Sequence, residues 1–137
     1  MSAPSFTINR FDNIIAVRLT GDWNQAIDLR YLSELGVVMQ RMRQSTWGVL
    51  VDFRQWTVGP AVIAQNVNYS LHFDRRNQTS ECWLVNDDAQ ARHLEFFFKD
   101  LPFSPHRVKT QQDALTWARD NNFPKSTALT SWLSVNE

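Results

Sequence analysis

The sequence has little of what disulfide-rich, zinc-binding or nucleotide-binding proteins require. Its single cysteine, Cys82, excludes a disulfide framework within the chain and a zinc site made of cysteines. Its four glycines are scattered and match neither the dinucleotide-binding nor the phosphate-binding loop spacing. Fourteen basic and fourteen acidic residues cancel, so the composition argues against a large surface for nucleic acid or anionic membrane.

Long apolar runs are missing as well. No run approaches the ~20 residues that span a bilayer, so we expect no integral membrane segment. No apolar segment of the signal-peptide kind follows Met1, and we therefore expect a cytoplasmic protein. The 137 residues fit one domain, for which we expect boundaries at 1–137, a core over about 5–121 and a tail over 122–137.

Catalytic signatures are not found. The sequence lacks the Gly-x-Ser-x-Gly elbow of hydrolases, and the spacing of its three histidines is not that of a helical zinc pair. Each histidine is expected to be a surface or hydrogen-bonded side chain, and Cys82 a small buried apolar one. We therefore predict no catalytic residue, no metal and no cofactor.

The most informative stretch runs from Trp47 to Phe53. Bulky or β-branched apolar residues form a short continuous run there, which is typical of a strand buried on both faces. A turn from Arg54 follows, and Gly59-Pro60 then opens a helical pattern, with Pro60 suited to the first helical turn. This strand is expected at the centre of a sheet.

The remaining patterns predict the element order ββαβαβαβα. Two short strands flank a turn at 11–13 and should form an antiparallel hairpin, after which every strand is followed by a helix. That alternation predicts an α/β fold with parallel pairing and right-handed crossovers. If neighbours in sequence are neighbours in the sheet, all crossovers have the same hand, so we expect the helices on one face.

The other face of the sheet would then be left half-apolar. Exposed apolar patches larger than a few hundred Å² usually mark contacts. We therefore expect either a homodimer or a C-terminal tail packed over this face. Leu129, Trp132 and Leu133 are placed to cover it in either way.

Three stretches carry a resemblance to a known family. They are Gly-Asp-Trp at 21–23, Trp-Gly-Val-Leu-Val-Asp-Phe-Arg at 47–54 and Asp-Ala-Leu-Thr-Trp at 113–117. With the hairpin-first order they resemble the STAS domain family, and most of all its SpoIIAA-like group of small stand-alone bacterial proteins. The resemblance implies a (βα) superhelical sheet with helices on one side. It also implies a binding or signalling module rather than an enzyme, with some relatives holding apolar ligands.

The sequence departs from that family at the helix after the central strand. The resemblance implies a phosphorylatable serine there, preceded by aspartate, in anti-sigma-factor antagonists. Aligning Asp52 with the family's strand-end aspartate puts Pro60 and Ala61 at those two positions, and neither accepts phosphate. Thr57 lies three or four residues too early, so we expect no phosphoserine switch.

Five residues are candidates for a binding rim at the carboxyl edge of the parallel sheet. Arg54, Trp56 and Thr57 follow the central strand, Trp23 follows the second strand, and Asn86 follows the fourth. The alternative is structural, with both tryptophans capping the core and Asn86 capping a helix.

Three further aromatic residues lie beside the apolar stripes of two helices. Tyr69 and Phe73 belong to the second helix and Phe96 to the third, where they could line a groove or make ordinary core or dimer contacts. The leading hypothesis is a non-enzymatic module that binds a protein partner or itself. The alternative is a carrier or sensor of a small apolar ligand, and an unrecognised enzyme is a third class.

Overall fold

One sheet of five strands, in the order β1-β2-β3-β4-β5, organises a computed structural model that describes residues 2–68 and 73–134. The strands are β1 (Ser5–Phe11), β2 (Ile14–Trp23), β3 (Trp47–Val58), β4 (Gln78–Leu84) and β5 (His106–Val108). β1 pairs with β2 antiparallel, and every later pair is parallel. The predicted hairpin followed by parallel strands is confirmed.

Four α-helices and one 3-10 helix accompany the sheet. They are α1 (Gln25–Met42), α2 (Pro60–Asn68), the 3-10 helix (Arg92–Phe98), α3 (Gln111–Asp120) and α4 (Thr127–Ser134). Asn24 and Thr110 cap α1 and α3, because their side chains accept hydrogen bonds from Ile27 N at 3.0 Å and Asp113 N at 3.1 Å. No helix of the described residues is both long and apolar enough to cross a membrane.

The central strand is longer than predicted. β3 continues past Phe53 to Val58, because β2 also continues to Trp23 and supplies pairing partners for this extension. Gly21 makes the longer β2 possible: its φ is +83°, and a Cβ there would lie 2.2 Å from the carbonyl oxygen of Ala3. The prediction of a turn from Arg54 onwards is therefore wrong, because these residues continue β3.

Helices cover both faces of the sheet. Val49, Val51 and Phe53 project onto a face covered by α1, α2 and the 3-10 helix, here called the α1 face. Leu50 and Cys82 project onto the opposite face, covered by α3 and α4 and here called the α4 face. The expectation of helices on one face is wrong, because the handedness rule governs crossovers between strands and both of these helices follow the last strand.

The C-terminal segment supplies the predicted cover within the chain. Leu129, Trp132 and Leu133 of α4 are buried against the α4 face, together with Trp117 and Phe123. The homodimer stays a prediction, but the apolar face that motivated it is already covered in cis.

Candidate functional site: a cavity with polar ends

A cavity of about 90 Å³ lies between the α1 face of the sheet and the helices above it. Its walls are mostly apolar, with aromatic rings from β3, β4 and the 3-10 helix at Phe53, Trp83 and Phe98. On the helical side the wall comes from α1, whose residues at 28, 31, 32, 35 and 39 share one face. A largely apolar pocket with a few polar groups is the usual form of a small-molecule site.

Asp28 forms one polar end of this cavity. Its side chain is 4% exposed, and its Oδ2 accepts hydrogen bonds from Asn66 Nδ2 at 2.9 Å and Gln65 Nε2 at 3.1 Å. Burial raises the pKa of the Asp28 carboxyl above its ordinary value, against the opposing effect of the two amide donors. Asp28 therefore ties α1 to α2 through two neutral amides.

The same chain of hydrogen bonds reaches the 3-10 helix. Asn66 Oδ1 lies 3.2 Å from His93 Nε2, and the Asn66 amide nitrogen is engaged with Asp28, so the imidazole nitrogen is the donor. Burial lowers the pKa of His93, which favours the neutral ring. The ring stacks on Trp56 with centroids 6.3 Å apart, so the hydrogen-bonded chain from Asp28 through Asn66 and His93 ends against a tryptophan of the cavity wall.

Glu81 forms the second polar end and is fully engaged. Its Oε1 accepts from Arg75 Nη1 at 3.1 Å and Gln78 Nε2 at 3.0 Å, and its Oε2 accepts from Trp83 Nε1 at 2.7 Å. The Arg75 guanidinium also lies 4.7 Å from the ring centroid of Phe98. This end of the cavity is a closed ion-pair network.

Two further residues of the cavity wall, Tyr31 and Trp56, carry polar groups. Burial is the main reason that the pKa of Tyr31 is raised, and the charges of Glu81 and Asp28 raise it further while Arg75 opposes them. Trp56 is 6% exposed, and its indole Nε1 has no hydrogen-bond partner among the described residues. Buried donors without partners are rare and call for an explanation.

The five predicted rim residues do not converge on one site. Trp23 and Trp56 pack into the core on the α1 face, with ring centroids 6.2 Å apart, and of the two only Trp56 lines the cavity. Arg54 contacts Asp52 and the α4 side of the sheet, whereas Thr57 is exposed on β3. Asn86 is exposed and donates from Nδ2 to the carbonyl oxygen of Arg54 at 2.8 Å.

Of the three predicted groove aromatics, one reaches the cavity. Phe73 lines it beneath Arg75, whose guanidinium lies 5.4 Å from the ring centroid. Phe96 is 58% exposed and lies under the ammonium group of Lys99, 4.3 Å from the ring centroid. Tyr69 lies outside the described residues.

The polar ends of the cavity were missed from the sequence. One signal was available for Asp28, since it lies three and seven residues before Tyr31 and Leu35 on the apolar face of α1. A charged residue on such a face is rarely buried without partners. No comparable signal marks Glu81 or Arg75, whose pairing depends on the packing of the segment before β4.

A second buried charge network lies on the α4 face. Arg54 approaches Asp52 through two nitrogens, Nε to Oδ1 and Nη2 to Oδ2, each at 3.1 Å, and Arg18 Nε lies 3.2 Å from Oδ2. Arg18 Nη2 also donates to the carbonyl oxygen of Trp132 at 2.6 Å, and its guanidinium covers that ring at 4.0 Å. These contacts anchor the end of α4, so the pairing of Asp52 with Arg54 has a structural role.

Two solved structures superpose on most of this chain. An uncharacterised DUF3478-family protein with a SpoIIAA-like fold from Shewanella loihica superposes with a TM-score of 0.59 at 12% identity, over 85% of this chain and 94% of that one. An anti-sigma factor antagonist from Mycobacterium paratuberculosis superposes with a TM-score of 0.52 at 19% identity, over 88% and 100% of the two chains.

Similarity in sequence to known proteins is more limited than similarity in structure. No family model matches the chain. A highly reducing polyketide synthase from Aspergillus luteorubrus is 32% identical over 87 residues, which are 64% of this chain and only 2% of that protein. With its antiparallel hairpin, its parallel strand order and these two structural neighbours, the chain has the SpoIIAA-like fold of STAS domains.

Proposed function

We propose that the chain is a non-enzymatic regulatory module that acts through contact with a partner protein and lacks a phosphorylatable serine switch. The observation that carries this proposal is the fold shared with an anti-sigma factor antagonist, over 88% of this chain and the whole of the neighbour. The buried pairing of Asp52 with Arg18 and Arg54 supports a structural rather than a catalytic role for the most conspicuous charge cluster.

The start of α2 is the proposed contact surface. Thr57, Gly59, Pro60 and Ala61 are exposed there, and the first turn of the helix carries no acidic residue. The SpoIIAA-like resemblance implies a phosphorylatable serine in this turn, where Pro60 and Ala61 stand instead. Because this turn is uncharged and has no serine, it suits a protein contact that phosphorylation does not regulate.

A matched pair of charge insertions tests this surface. Ala61→Arg places a cation on the proposed surface, and Gln40→Arg places one at an exposed position of α1 near the opposite edge of the sheet. In quantitative co-purification from the source cells, a partner retained by the wild type and by Gln40→Arg should be lost from Ala61→Arg. Equal recovery with both variants would contradict the proposed surface.

A second candidate function is that of a carrier or sensor of a small apolar ligand. The cavity favours it, because its wall is largely apolar and carries a few polar groups, among them the buried carboxylate of Asp28. Native mass spectrometry after gentle purification should then show a bound small molecule. Phe73→Ala, which changes the cavity wall, should reduce its occupancy, whereas bare wild-type protein would argue against the carrier.

A further inference from the structure

We infer that the cavity selects a small, mainly apolar molecule whose polar group is neutral or cationic, and that it rejects carboxylates. The inference deepens the carrier function and rests on it. Three observations support it: the charges that line the cavity, the oxygen of Asp28 that is left without a donor, and the volume.

The charges of the wall do not cancel. Arg75 and Glu81 form an ion pair, so together they contribute no net charge. Asp28 takes part in no ion pair with a described residue, and its partners Gln65 and Asn66 are neutral amides. A carboxylate ligand would bring a second anion into a space walled by apolar side chains, where charges of like sign repel most strongly.

The free oxygen of Asp28 favours a polar group that can donate a hydrogen bond. Both amide donors bind Oδ2 of Asp28, which leaves Oδ1 without a donor among the described residues. A hydroxyl or an ammonium group can donate to this oxygen, whereas a carboxylate cannot.

The volume limits the apolar part. A cavity of about 150 Å³ in another protein holds one benzene molecule, and the cavity here measures about 90 Å³. A chain of about four carbons with its polar group, which is about as large as benzene, is therefore the upper limit, and a long acyl chain is too large. Three four-carbon probes that differ mainly in the charge of the polar group are 1-butanol, butylamine and butyrate.

Nitrogen-15 NMR of the indole groups reports binding directly at Trp56. Its resonance is assigned with Trp56→Phe, and Trp132 is an internal control, because its buried indole also lacks a partner among residues 2–68 and 73–134 but lies on the α4 face. At pH 7, 1-butanol and butylamine should shift the Trp56 resonance saturably and leave Trp132 unmoved. Butyrate at tenfold higher concentration should shift neither.

Asp28→Asn removes the charge and keeps the shape of the side chain. In this variant butyrate should bind within threefold of 1-butanol, and butylamine should bind at least tenfold more weakly than it binds the wild type. If the variant does not fold, the comparison of the three probes on the wild type is sufficient to test the charge selection. Butyrate binding the wild type as tightly as 1-butanol would overturn the charge selection and leave the carrier function standing. No shift of Trp56 with any probe would overturn the cavity as a binding site.

Discussion

Replacing Asp52 with asparagine should destabilise the protein more than any other single charge removal considered. Its side chain is 1% exposed and holds two guanidinium groups, Arg18 and Arg54, whose side chains are 11% and 14% exposed. Removing one partner of a buried ion pair costs about 3–5 kcal/mol, because the remaining charge is left without compensation. Water reaches part of both arginines, so we expect the lower end, about 3 kcal/mol.

Urea unfolding followed by circular dichroism measures this loss. We expect a lower midpoint with an unchanged slope, and a melting temperature lower by about 10 °C for a chain of this length. Hydrogen exchange should quicken in α4 more than in α1, because Arg18 donates to a carbonyl of α4 only while Asp52 holds it in place.

Asp74→Asn is the matched control. Asp74 pairs with Arg43 and Arg76, whose side chains are 50% and 68% exposed. Surface pairs of this kind contribute little, so the unfolding midpoint should not move. A loss below about 1 kcal/mol for Asp52→Asn would refute the view that this network anchors α4, since removal of a buried partner should cost several times more.

Three further predictions concern packing, modification and reactivity. Gly48→Ala should lower the free energy of unfolding by about 1–3 kcal/mol in urea titrations, because the new Cβ would lie 2.6 Å from the ring of Phe123; an unchanged midpoint would contradict this. Incubation with an anti-sigma-type kinase and ATP should leave the intact mass unchanged, and a phosphate on Thr57 would contradict the absence of a switch. Burial raises the pKa of the Cys82 thiol, so iodoacetamide should label it at pH 8 only after unfolding, and rapid labelling of native protein would count against its burial.

The residue pattern of the central strand predicted the burial of both faces of the sheet, whereas the topology rules predicted a cover for one face only. The apolar run from Val49 to Val51 indicated a strand buried on both sides, and the structure has both sides covered. The rule on crossover handedness predicted only one covered face, because it is silent on helices after the last strand. α4 was missed as a helix, although Leu129, Trp132 and Leu133 were recognised as its apolar cover.

The site was harder to predict than the fold. Trp56 and Phe73 are candidates from the sequence, and both line the cavity. The sequence predicts Arg54 and Thr57 on a turn, since no local pattern shows that β2 extends to Trp23 and pairs with residues 55–58 of β3. The partners of Asp28 lie on α2, 37 and 38 residues away, and such long-range hydrogen bonds have no signature in a single sequence.

Site-specific photo-crosslinking inside the source cells tests the proposed protein contact most directly. A photoreactive residue is placed at position 61, at the start of α2, and in a second protein at position 40, on α1. We expect one discrete higher-mass adduct from position 61, identifiable by mass spectrometry, and none from position 40. No adduct at 61, or the same set of adducts at both positions, would contradict it.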